Sequence, residues 1–461
     1  MSNKYFGTDG FRGEVNVNLT AEHAYKIGRF LGWYFKSPIC KTEKTNQKTK
    51  VVIGKDTRRS SYMLEYALCS GIIASGGDAY ILHVTTTPSV SYVTRTEGFD
   101  CGVMITASHN PFYDNGIKII NRYGEKIDDK ITDLIEKYID GELDFLGGGH
   151  TDLPFALREE IGAVVDYVSG RNRYIGYLIS LASHSYKNLK IGLDCANGAS
   201  WSIARSVFDA LGAKTFVVGD KPNGTNINDD CGSTHIENLC QLVRQNHLDV
   251  GFAFDGDSDR CIAVDEKGNV VDGDKMMYVL AKRLKGRDML NDNTVVATIM
   301  SNNGFVNSLK QEDINCVLTT VGDRFVYECM QQNDYDLGGE QSGHIIIKKY
   351  ATTGDGLLTA IMITEELCDK KATLSKLCEG VFLYPQFTKN VHVNDKEKAT
   401  TDKLVQKSLK EIEQKIDGKG RVLLRKSGTE PVVRIMVECE NENLCREYAE
   451  YIANVISKVT S

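Results

Sequence analysis

A serine and a histidine stand together where a predicted strand ends. Residues 103–105 are apolar, and residues 106–110 read Thr-Ala-Ser-His-Asn before Pro111. A buried strand that stops in a turn presents its last side chains at a surface, where loops carry chemistry. Serine and asparagine in such turns also make local backbone hydrogen bonds, and this is the commoner reason for their presence. Ser108 is therefore a candidate nucleophile, with His109 beside it, if other motifs support it.

Three aspartates form a second cluster. Asp255, Asp257 and Asp259 follow the apolar run 250–254. Carboxylates so close at a strand end repel one another by ~1 kcal/mol or more per pair unless the charge is compensated. A divalent cation removes this cost, and hard oxygen ligands suit Mg²⁺ or Ca²⁺. The cluster therefore predicts a metal site.

Other interpretations of the aspartate cluster stay open at this point. An EF-hand loop also has aspartates at this spacing, but Arg260 stands where that loop needs glycine, and the flanking residues are typical of strands. An aspartyl-phosphate enzyme would use Asp255 as its nucleophile. A solvated acidic turn would have no ligand at all.

A third motif has groups suited to sugar hydroxyls. Glu340 and Ser342 are flanked by glycines, and His344 follows them. A carboxylate accepts hydrogen bonds, whereas a hydroxyl both donates and accepts. Alone, this motif is more typical of a glycine-rich turn.

The fourth motif, residues 425–434, combines hydroxyls, a glycine and two arginines. Convergent backbone N–H groups, hydroxyls and fork-shaped guanidinium groups are how proteins hold a phosphate monoester. The alternative is a charged hairpin. Its candidate phosphate ligands are Arg425, Ser427, Gly428, Thr429 and Arg434.

The elements that must position these motifs follow a repeated pattern of strand, polar loop, helix and strand. The pattern occurs three times and indicates βαβ units with parallel strands and right-handed crossovers. Loops that carry chemistry are expected at the carboxyl ends of such strands. The strand pairs are residues 51–53 and 79–83, residues 190–194 and 215–218, and residues 294–298 and 316–319.

The sequence thus predicts an α/β protein with three successive βαβ-type domains, whose sheets are mixed but mainly parallel, and a smaller C-terminal α+β domain around one central cleft. Thr20 is predicted to cap a helix over residues 20–36. The glycine-rich segment 141–165 is predicted to be a linker. In the last domain we expect strands at 387–393 and 421–424 and a helix at 441–458. The predicted domain limits are 1–150, 151–255, 256–375 and 376–461.

Bulk composition narrows the class of protein. A chain of 461 residues is too long for one hydrophobic core. Its net charge of -7 argues against a general binder of nucleic acid or of anionic membranes. The 13 cysteines are scattered without a CxxC pair, as expected for reduced thiols. With no signal-like or membrane-spanning apolar run, a cytoplasmic location is expected.

Five motifs in order carry a family resemblance. They are residues 5–13, residues 106–111 with 115–118, residues 255–260, residues 339–344 and residues 425–431. In this arrangement the chain resembles the α-D-phosphohexomutase superfamily, and within it most closely the bacterial phosphoglucosamine mutases. Gln341 favours the glucosamine branch, because the glucose and mannose relatives are expected to carry methionine there.

The resemblance implies an isomerase that works through a phosphoserine. Phospho-Ser108 would convert glucosamine 6-phosphate to glucosamine 1,6-bisphosphate and take a phosphoryl group back to leave glucosamine 1-phosphate, on the route to UDP-N-acetylglucosamine. One Mg²⁺ per chain would bind the phosphorylated Ser108 and the three aspartates. A sugar bisphosphate is implied as activator, and a homodimer is expected only from the resemblance.

The remaining roles are also implied by the resemblance. Lys118 is favoured over His109 for proton transfer, and Arg12 is a further catalytic cation. The implied substrate ligands are Arg260, Glu340, Ser342, His344, Arg425, Ser427, Gly428, Thr429 and Arg434. Three alternatives stay open: a phosphomannomutase or phosphoglucomutase of the same superfamily, a sugar-phosphate hydrolase, and a non-catalytic protein that binds metal or sugar phosphate.

Overall fold

The computed structural model describes residues 4–7, 9–40, 48–142, 144, 152–416, 419–426 and 432–460. The chain folds into two compact units, which are described separately. The first comprises Met1–Met300 with Ile314–Cys378, and the second Ser301–Asp313 with Glu379–Ser461. Among the described helices, none is both long and apolar enough to cross a membrane.

The first sheet carries the serine motif. Its seven strands lie in the order β1-β2-β6-β5-β3-β4-β7. β3 is parallel to β4 and β5, whereas β6 is antiparallel to β5 and β2. The strands are β1 (Phe6–Gly7), β2 (Gly10–Glu14), β3 (Lys50–Lys55), β4 (Asp78–Val84), β5 (Cys101–Ile105), β6 (Asp114–Asn121) and β7 (Val164–Asp166).

Four helices accompany this sheet. The first predicted βαβ unit is confirmed, because α2 connects the parallel strands β3 and β4. Thr20 caps α1 as predicted, with its side chain accepting the N–H of His23. The helices are α1 (Ala21–Tyr34), α2 (Arg59–Ala74), α3 (Thr87–Thr96) and α4 (Asp129–Ile139).

The predicted linker over 141–165 is wrong at its C-terminal end. Residues 143 and 145–151 lie outside the described part of the chain. Beyond them Leu153 is buried, and β7 pairs in parallel with β4. This edge strand has mostly exposed side chains, so its sequence lacks the apolar alternation by which strands are recognised.

The second sheet carries the aspartates. Its order is β12-β11-β10-β8-β9, with β9, β8 and β10 parallel and β11 and β12 antiparallel. The second βαβ unit is confirmed by β8, α6 and β9. Strands of this sheet lie both before and after residue 255, where the sequence predicted a domain limit. All the predicted domain limits stay predictions. Its elements are α5 (Val168–Ser180), β8 (Lys190–Asp194), α6 (Ile203–Ala210), β9 (Lys214–Val218), α7 (Glu237–Asn246), β10 (Val250–Phe254), β11 (Cys261–Val264) and β12 (Val270–Val271).

The third sheet has the strand order β14-β13-β15-β16. The sugar-hydroxyl motif lies between β15 and β16. β13 is parallel to β14, as the third βαβ unit predicted, and it is also parallel to β15, whereas β16 is antiparallel to β15. Its elements are α8 (Gly273–Lys285), β13 (Thr294–Thr298), α9 (Asn303–Gln311), β14 (Asn315–Thr319), α10 (Asp323–Asn333), β15 (Leu337–Gly339), β16 (Ile345–Ile347), α11 (Gly356–Lys370) and α12 (Leu374–Leu377). Of these, α9 belongs to the second compact unit.

The second unit contains a three-stranded antiparallel sheet in the order β17-β19-β18. Its central strand, β19, was not predicted from the sequence, whereas β17, β18 and α15 were. The α/β class, the mixed sheets and the small C-terminal α+β domain are confirmed. The elements are β17 (Gln386–His392), α13 (Lys396–Thr401), α14 (Lys403–Ile416), β18 (Arg421–Lys426), β19 (Val432–Glu438) and α15 (Glu442–Thr460).

Close packing of α1 against α2 gives a prediction about stability. A Cβ on Gly71 would lie 2.1 Å from the carbonyl oxygen of Tyr25 and 2.7 Å from the amide nitrogen of Arg29. Because backbone atoms cannot yield, Gly71→Ala should lower the free energy of unfolding by about 1–3 kcal/mol. Urea denaturation followed by circular dichroism measures this change.

Gly176→Ala is the matched control. Gly176 is an exposed helical glycine on α5, and a Cβ there meets no atom within 4 Å. This variant should gain up to about 1 kcal/mol from helix propensity. Equal stability of the two variants would contradict the proposed clash.

Candidate functional site

The serine turn after β5 has an unusual backbone conformation. Ser108 is 1% exposed and has φ 52°, in the left-handed region that non-glycine residues seldom adopt. Its N–H donates to Thr106 Oγ1 at 3.0 Å. Such a conformation persists only where the surrounding structure holds it.

Two side chains, each from a segment that follows a strand, hold this turn. Arg58 donates to the carbonyl oxygens of Ser108 at 3.1 Å and Asn110 at 2.6 Å. Asn228 donates through Nδ2 to the same two carbonyls, at 2.9 and 3.2 Å. Arg58 is buried and forms an ion pair with Asp56. The turn is therefore fixed by donors from the segments that follow β3 and β9.

The three aspartates lie against the serine. Ser108 Oγ donates to Asp255 Oδ2 at 2.6 Å. One carboxylate oxygen from each of Asp255, Asp257 and Asp259 lies within 4.8 Å of the others, and all three residues are buried. Between them, Gly256 permits the close approach, because a Cβ there would lie 2.4 Å from the carbonyl oxygen of Ser108.

The aspartates have the donor set of a cation site. Lys118 Nζ donates to Oδ2 of Asp257 at 2.6 Å and to Oδ2 of Asp259 at 3.1 Å. Asp257 Oδ1 is buried without a hydrogen-bond partner, and Asp259 Oδ1 has only the His344 ring nearby, at 3.6 Å. Unpaired buried carboxylate oxygens are costly, and a hard divalent cation satisfies them. The residues present therefore fit Mg²⁺.

Burial and mutual repulsion change the titration of these groups. Burial, followed by the charges of Asp259 and Asp257, raises the pKa of Asp255 to about 8. Burial lowers the pKa of Lys118, but the two carboxylates it contacts outweigh this effect and raise it above its usual value. In this arrangement Lys118 is an ammonium group that donates hydrogen bonds.

His109 lies beside the serine hydroxyl. Its Nδ1 is 3.3 Å from Ser108 Oγ. Burial, with the nearby positive charges of Arg260 and Arg12, lowers the pKa of His109 to about 4. A neutral imidazole can accept a proton, so His109 has the protonation state that a base needs at neutral pH.

The sugar-hydroxyl motif reaches the aspartates through His344. His344 Nδ1 is 3.6 Å from Asp259 Oδ1, and its Nε2 is 3.0 Å from the backbone nitrogen of Gly354. Burial lowers the pKa of His344, but its contact with Asp259 raises it to about 9. Glu340 Oε1 accepts the N–H of Gly322 at 3.1 Å.

The other predicted site residues differ in their surroundings. Ser342 is exposed on the turn between β15 and β16. Arg12 pairs with Asp9, and the backbone N–H of Arg260 donates to Asp255 Oδ1 at 3.2 Å. The Nε atoms of Arg12 and Arg260 are buried without a hydrogen-bond partner.

The fourth motif lies in the second unit. Arg425 on β18 is directly opposite Arg434 on β19, which places two cationic residues side by side. Two neighbouring guanidinium groups suit an anion. Ser427, Gly428 and Thr429 lie outside the described residues.

Sequence reasoning assigned no role to three residues that contact the site. Arg58 and Asn228 hold the serine turn, and Thr87 Oγ1 donates to Asp257 Oδ2 at 2.5 Å. A signal existed for Thr87, since threonines followed by proline after a strand mark a helix start at a carboxyl edge. Arg58 followed a strand in the same way.

The raised pKa of Asp255 predicts pH-dependent cation binding. Below a pKa of about 8 this carboxyl carries a proton that Mg²⁺ must displace. The apparent Kd for Mg²⁺ should therefore rise by up to about tenfold per pH unit as the pH falls below that value. Isothermal titration of cation-free protein between about pH 6 and about pH 9 measures it. Asp257→Ala is the control without binding, and a flat Kd would contradict the assignment.

All four segments of one family match the chain in order. Domain I of the phosphoglucomutase/phosphomannomutase family matches residues 3–144 and domain II matches residues 172–268. Domain III matches residues 272–384, and the C-terminal domain matches residues 389–455.

Similar proteins extend over nearly the whole chain. The phosphoglucosamine mutase of Lachnospira eligens is 56% identical over 453 residues, 98% of each chain. That of Bacillus subtilis is 46% identical, again over 98% of each chain. Both identities are far above the level at which a shared fold is in question.

Solved structures share the fold at lower identity. A phosphoglucomutase/phosphomannomutase family protein of Burkholderia thailandensis has a TM-score of 0.79 and 22% identity, covering 100% of this chain and 98% of its own. The N-acetylphosphoglucosamine mutase of Aspergillus fumigatus, solved with GlcNAc-6P and magnesium, has a TM-score of 0.67 and 15% identity, covering 99% and 96%. With its four family segments in order and full-length relatives, the chain belongs to the phosphoglucomutase/phosphomannomutase family.

Proposed function

We propose that the chain is an isomerase that interconverts glucosamine 6-phosphate and glucosamine 1-phosphate. The full-length relatives support the amino sugar as substrate, since those from Lachnospira eligens and Bacillus subtilis are named phosphoglucosamine mutases. The observation that carries the chemistry is the Ser108 hydroxyl, 2.6 Å from Asp255 within a buried aspartate cluster. A serine in this position serves as a phosphoryl carrier.

Two transfers return the enzyme to its starting state. In the first, the bond between phosphorus and Ser108 Oγ breaks and the sugar's C1 hydroxyl oxygen bonds to phosphorus, giving glucosamine 1,6-bisphosphate. After the intermediate turns over, Ser108 Oγ takes the phosphoryl group from the 6-position and glucosamine 1-phosphate leaves. A bound Mg²⁺ would neutralise charge on the transferring phosphoryl group. Asp255, Asp257 and Asp259 would hold it.

The sugar hydroxyl loses a proton as it attacks. We assign this proton to His109, because its Nδ1 is the ring nitrogen that lies 3.3 Å from Ser108 Oγ. Lys118 was the favoured group in the sequence, but its ammonium group is engaged by two carboxylates. In this proposal Lys118 balances charge beside the transferring phosphoryl group.

Binding roles follow from the chemistry of the remaining residues. Arg12 and Arg260 would contact phosphoryl oxygens, because each has a buried Nε without a partner. Glu340, Ser342 and His344 would contact the sugar. The phosphate that is not being transferred would bind the fourth motif, through Arg425, Ser427, Gly428, Thr429 and Arg434.

Further parts of the proposal concern the setting of the reaction. A sugar 1,6-bisphosphate would act as activator by phosphorylating Ser108 when the intermediate escapes. The product would enter UDP-N-acetylglucosamine synthesis in the cytoplasm. A homodimer stays a prediction from the family resemblance.

Conversion of glucosamine 6-phosphate tests the substrate. Purified protein with Mg²⁺ and a catalytic amount of sugar 1,6-bisphosphate should form glucosamine 1-phosphate, followed by ³¹P magnetic resonance. Isomerisation of mannose or glucose phosphates without this activity would support the phosphomannomutase or phosphoglucomutase alternative. Stoichiometric release of inorganic phosphate would support a hydrolase.

Substitution of the serine tests the carrier. Ser108→Ala should lower kcat by at least about three orders of magnitude, since alanine has no hydroxyl to carry the phosphoryl group. Intact-mass spectrometry of the native protein should show a gain of about 80 Da, and peptide mapping should place it on the Ser108 peptide. Ser70→Ala, on the exposed face of α2, is the control and should keep full activity. Substantial mutase activity in Ser108→Ala would refute the carrier role.

A further inference from the structure

Helix α3 begins beside the aspartate cluster, although it is one of the helices that accompany the first sheet. Thr86 caps this helix by accepting the N–H of Ser89 at 3.2 Å, and Pro88 stands in its first turn. Thr87 is the first helical residue and is buried. The first backbone N–H groups of a helix have no partner within it. They therefore need acceptors from elsewhere.

Both polar groups of Thr87 find their acceptor in one residue, Asp257. The Thr87 N–H donates to the Asp257 carbonyl oxygen at 3.0 Å. Its hydroxyl donates to Asp257 Oδ2 at 2.5 Å. One residue thus holds both the backbone and the carboxylate of the central aspartate.

The hydroxyl contact gives the two oxygens of the Asp257 carboxylate different surroundings. Oδ2 accepts from Thr87 Oγ1 and from Lys118 Nζ, whereas Oδ1 is buried and accepts no hydrogen bond. Donors on one oxygen restrict rotation of the carboxylate about its Cβ–Cγ bond. Oδ1 is then the oxygen that is left without a donor.

We propose that Thr87 is a positioning residue for the metal ligand Asp257, holding Oδ2 so that Oδ1 is presented to the cation. The inference rests on the metal site of the proposed function. Residues that orient metal ligands influence metal affinity although they do not touch the ion. Lys118 contacts the same oxygen but also contacts Asp259, so Thr87 is the donor dedicated to the central ligand.

The hydroxyl can be removed without changing the shape of the side chain. Thr87→Val keeps the branched shape and the backbone N–H contact, whereas Thr87→Ser keeps the hydroxyl. Isothermal titration of Mg²⁺ into chelator-treated protein gives the Kd of each variant. We expect about tenfold weaker binding for Thr87→Val and a Kd within about twofold of the wild type for Thr87→Ser.

Thr94→Val is the matched control on the same helix. Thr94 is buried, and its hydroxyl donates to the carbonyl oxygen of Val90 at 2.7 Å, away from the aspartates. Its Mg²⁺ affinity should equal that of the wild type. Circular dichroism checks that each variant is folded, and if Thr87→Val is not, Thr87→Ala is compared with Thr87→Ser instead.

The outcomes separate this proposal from the proposed function. Absence of Mg²⁺ binding in the wild type would refute the metal site and with it the role of Thr87. Wild-type binding with an unchanged Kd in Thr87→Val would refute the role of Thr87 alone. Equal weakening in Thr87→Ser and Thr87→Val would also refute it, because the hydroxyl would then not matter.

The kinetics should show the same distinction. If Thr87 only positions Asp257, saturating Mg²⁺ should restore kcat of Thr87→Val to near the wild-type value, while the Mg²⁺ concentration for half-maximal activity rises. A kcat that stays low at saturating Mg²⁺, with unchanged Mg²⁺ affinity, would overturn the positioning role.

Discussion

Burial of three carboxylates beside one serine is the constraint on which the site depends. Asp255, Asp257 and Asp259 lie within 4.8 Å of one another and are all removed from water. Their repulsion is reflected in the pKa of Asp255, which burial and its two neighbours raise to about 8. Protein donors therefore compensate only part of the charge. A cation would complete the compensation, so the mutual repulsion of the carboxylates favours metal binding.

The groups that compensate the carboxylate charges come from the first sheet and the segments around it, although the aspartates follow a strand of the second sheet. Lys118 on β6 and Thr87 on α3 both donate to Asp257, and Ser108 after β5 donates to Asp255. The carboxyl ends of β5 and β10 must consequently face one another. Gly256 makes this approach possible, because any side chain there would collide with the serine turn. The reacting group and the metal ligands thus become a single site only when the two sheets are packed.

Sequence alone was sufficient for much of this architecture and for the reacting groups. The three βαβ units follow from short apolar runs and helical spacing, and Ser108 and the aspartates stand directly after such runs. Edge strand β7 could not be predicted, because it is short and mostly exposed. The roles of Arg58, Thr87 and Asn228 could not be predicted, because they depend on contacts between residues far apart in the chain. Their own neighbours in sequence give no sign of the carbonyl or carboxylate that each one meets.

The sugar-hydroxyl motif shows the same limit of prediction from sequence, here for selectivity toward the sugar. Gln341 favoured an amino sugar by family resemblance, yet its side-chain amide donates to Asp272 Oδ2 at 3.3 Å. Asp272 in turn caps α8, and the N–H of Gly273 donates to the carbonyl oxygen of Gln341 at 3.0 Å. Gln341 is therefore tied to the start of a helix. Its influence on the sugar would pass through the position of the adjacent Glu340, whose carboxylate is the group suited to a hydroxyl or an ammonium. Selectivity at such a turn would then depend on how the loop is supported, because the Gln341 side chain contacts a helix cap.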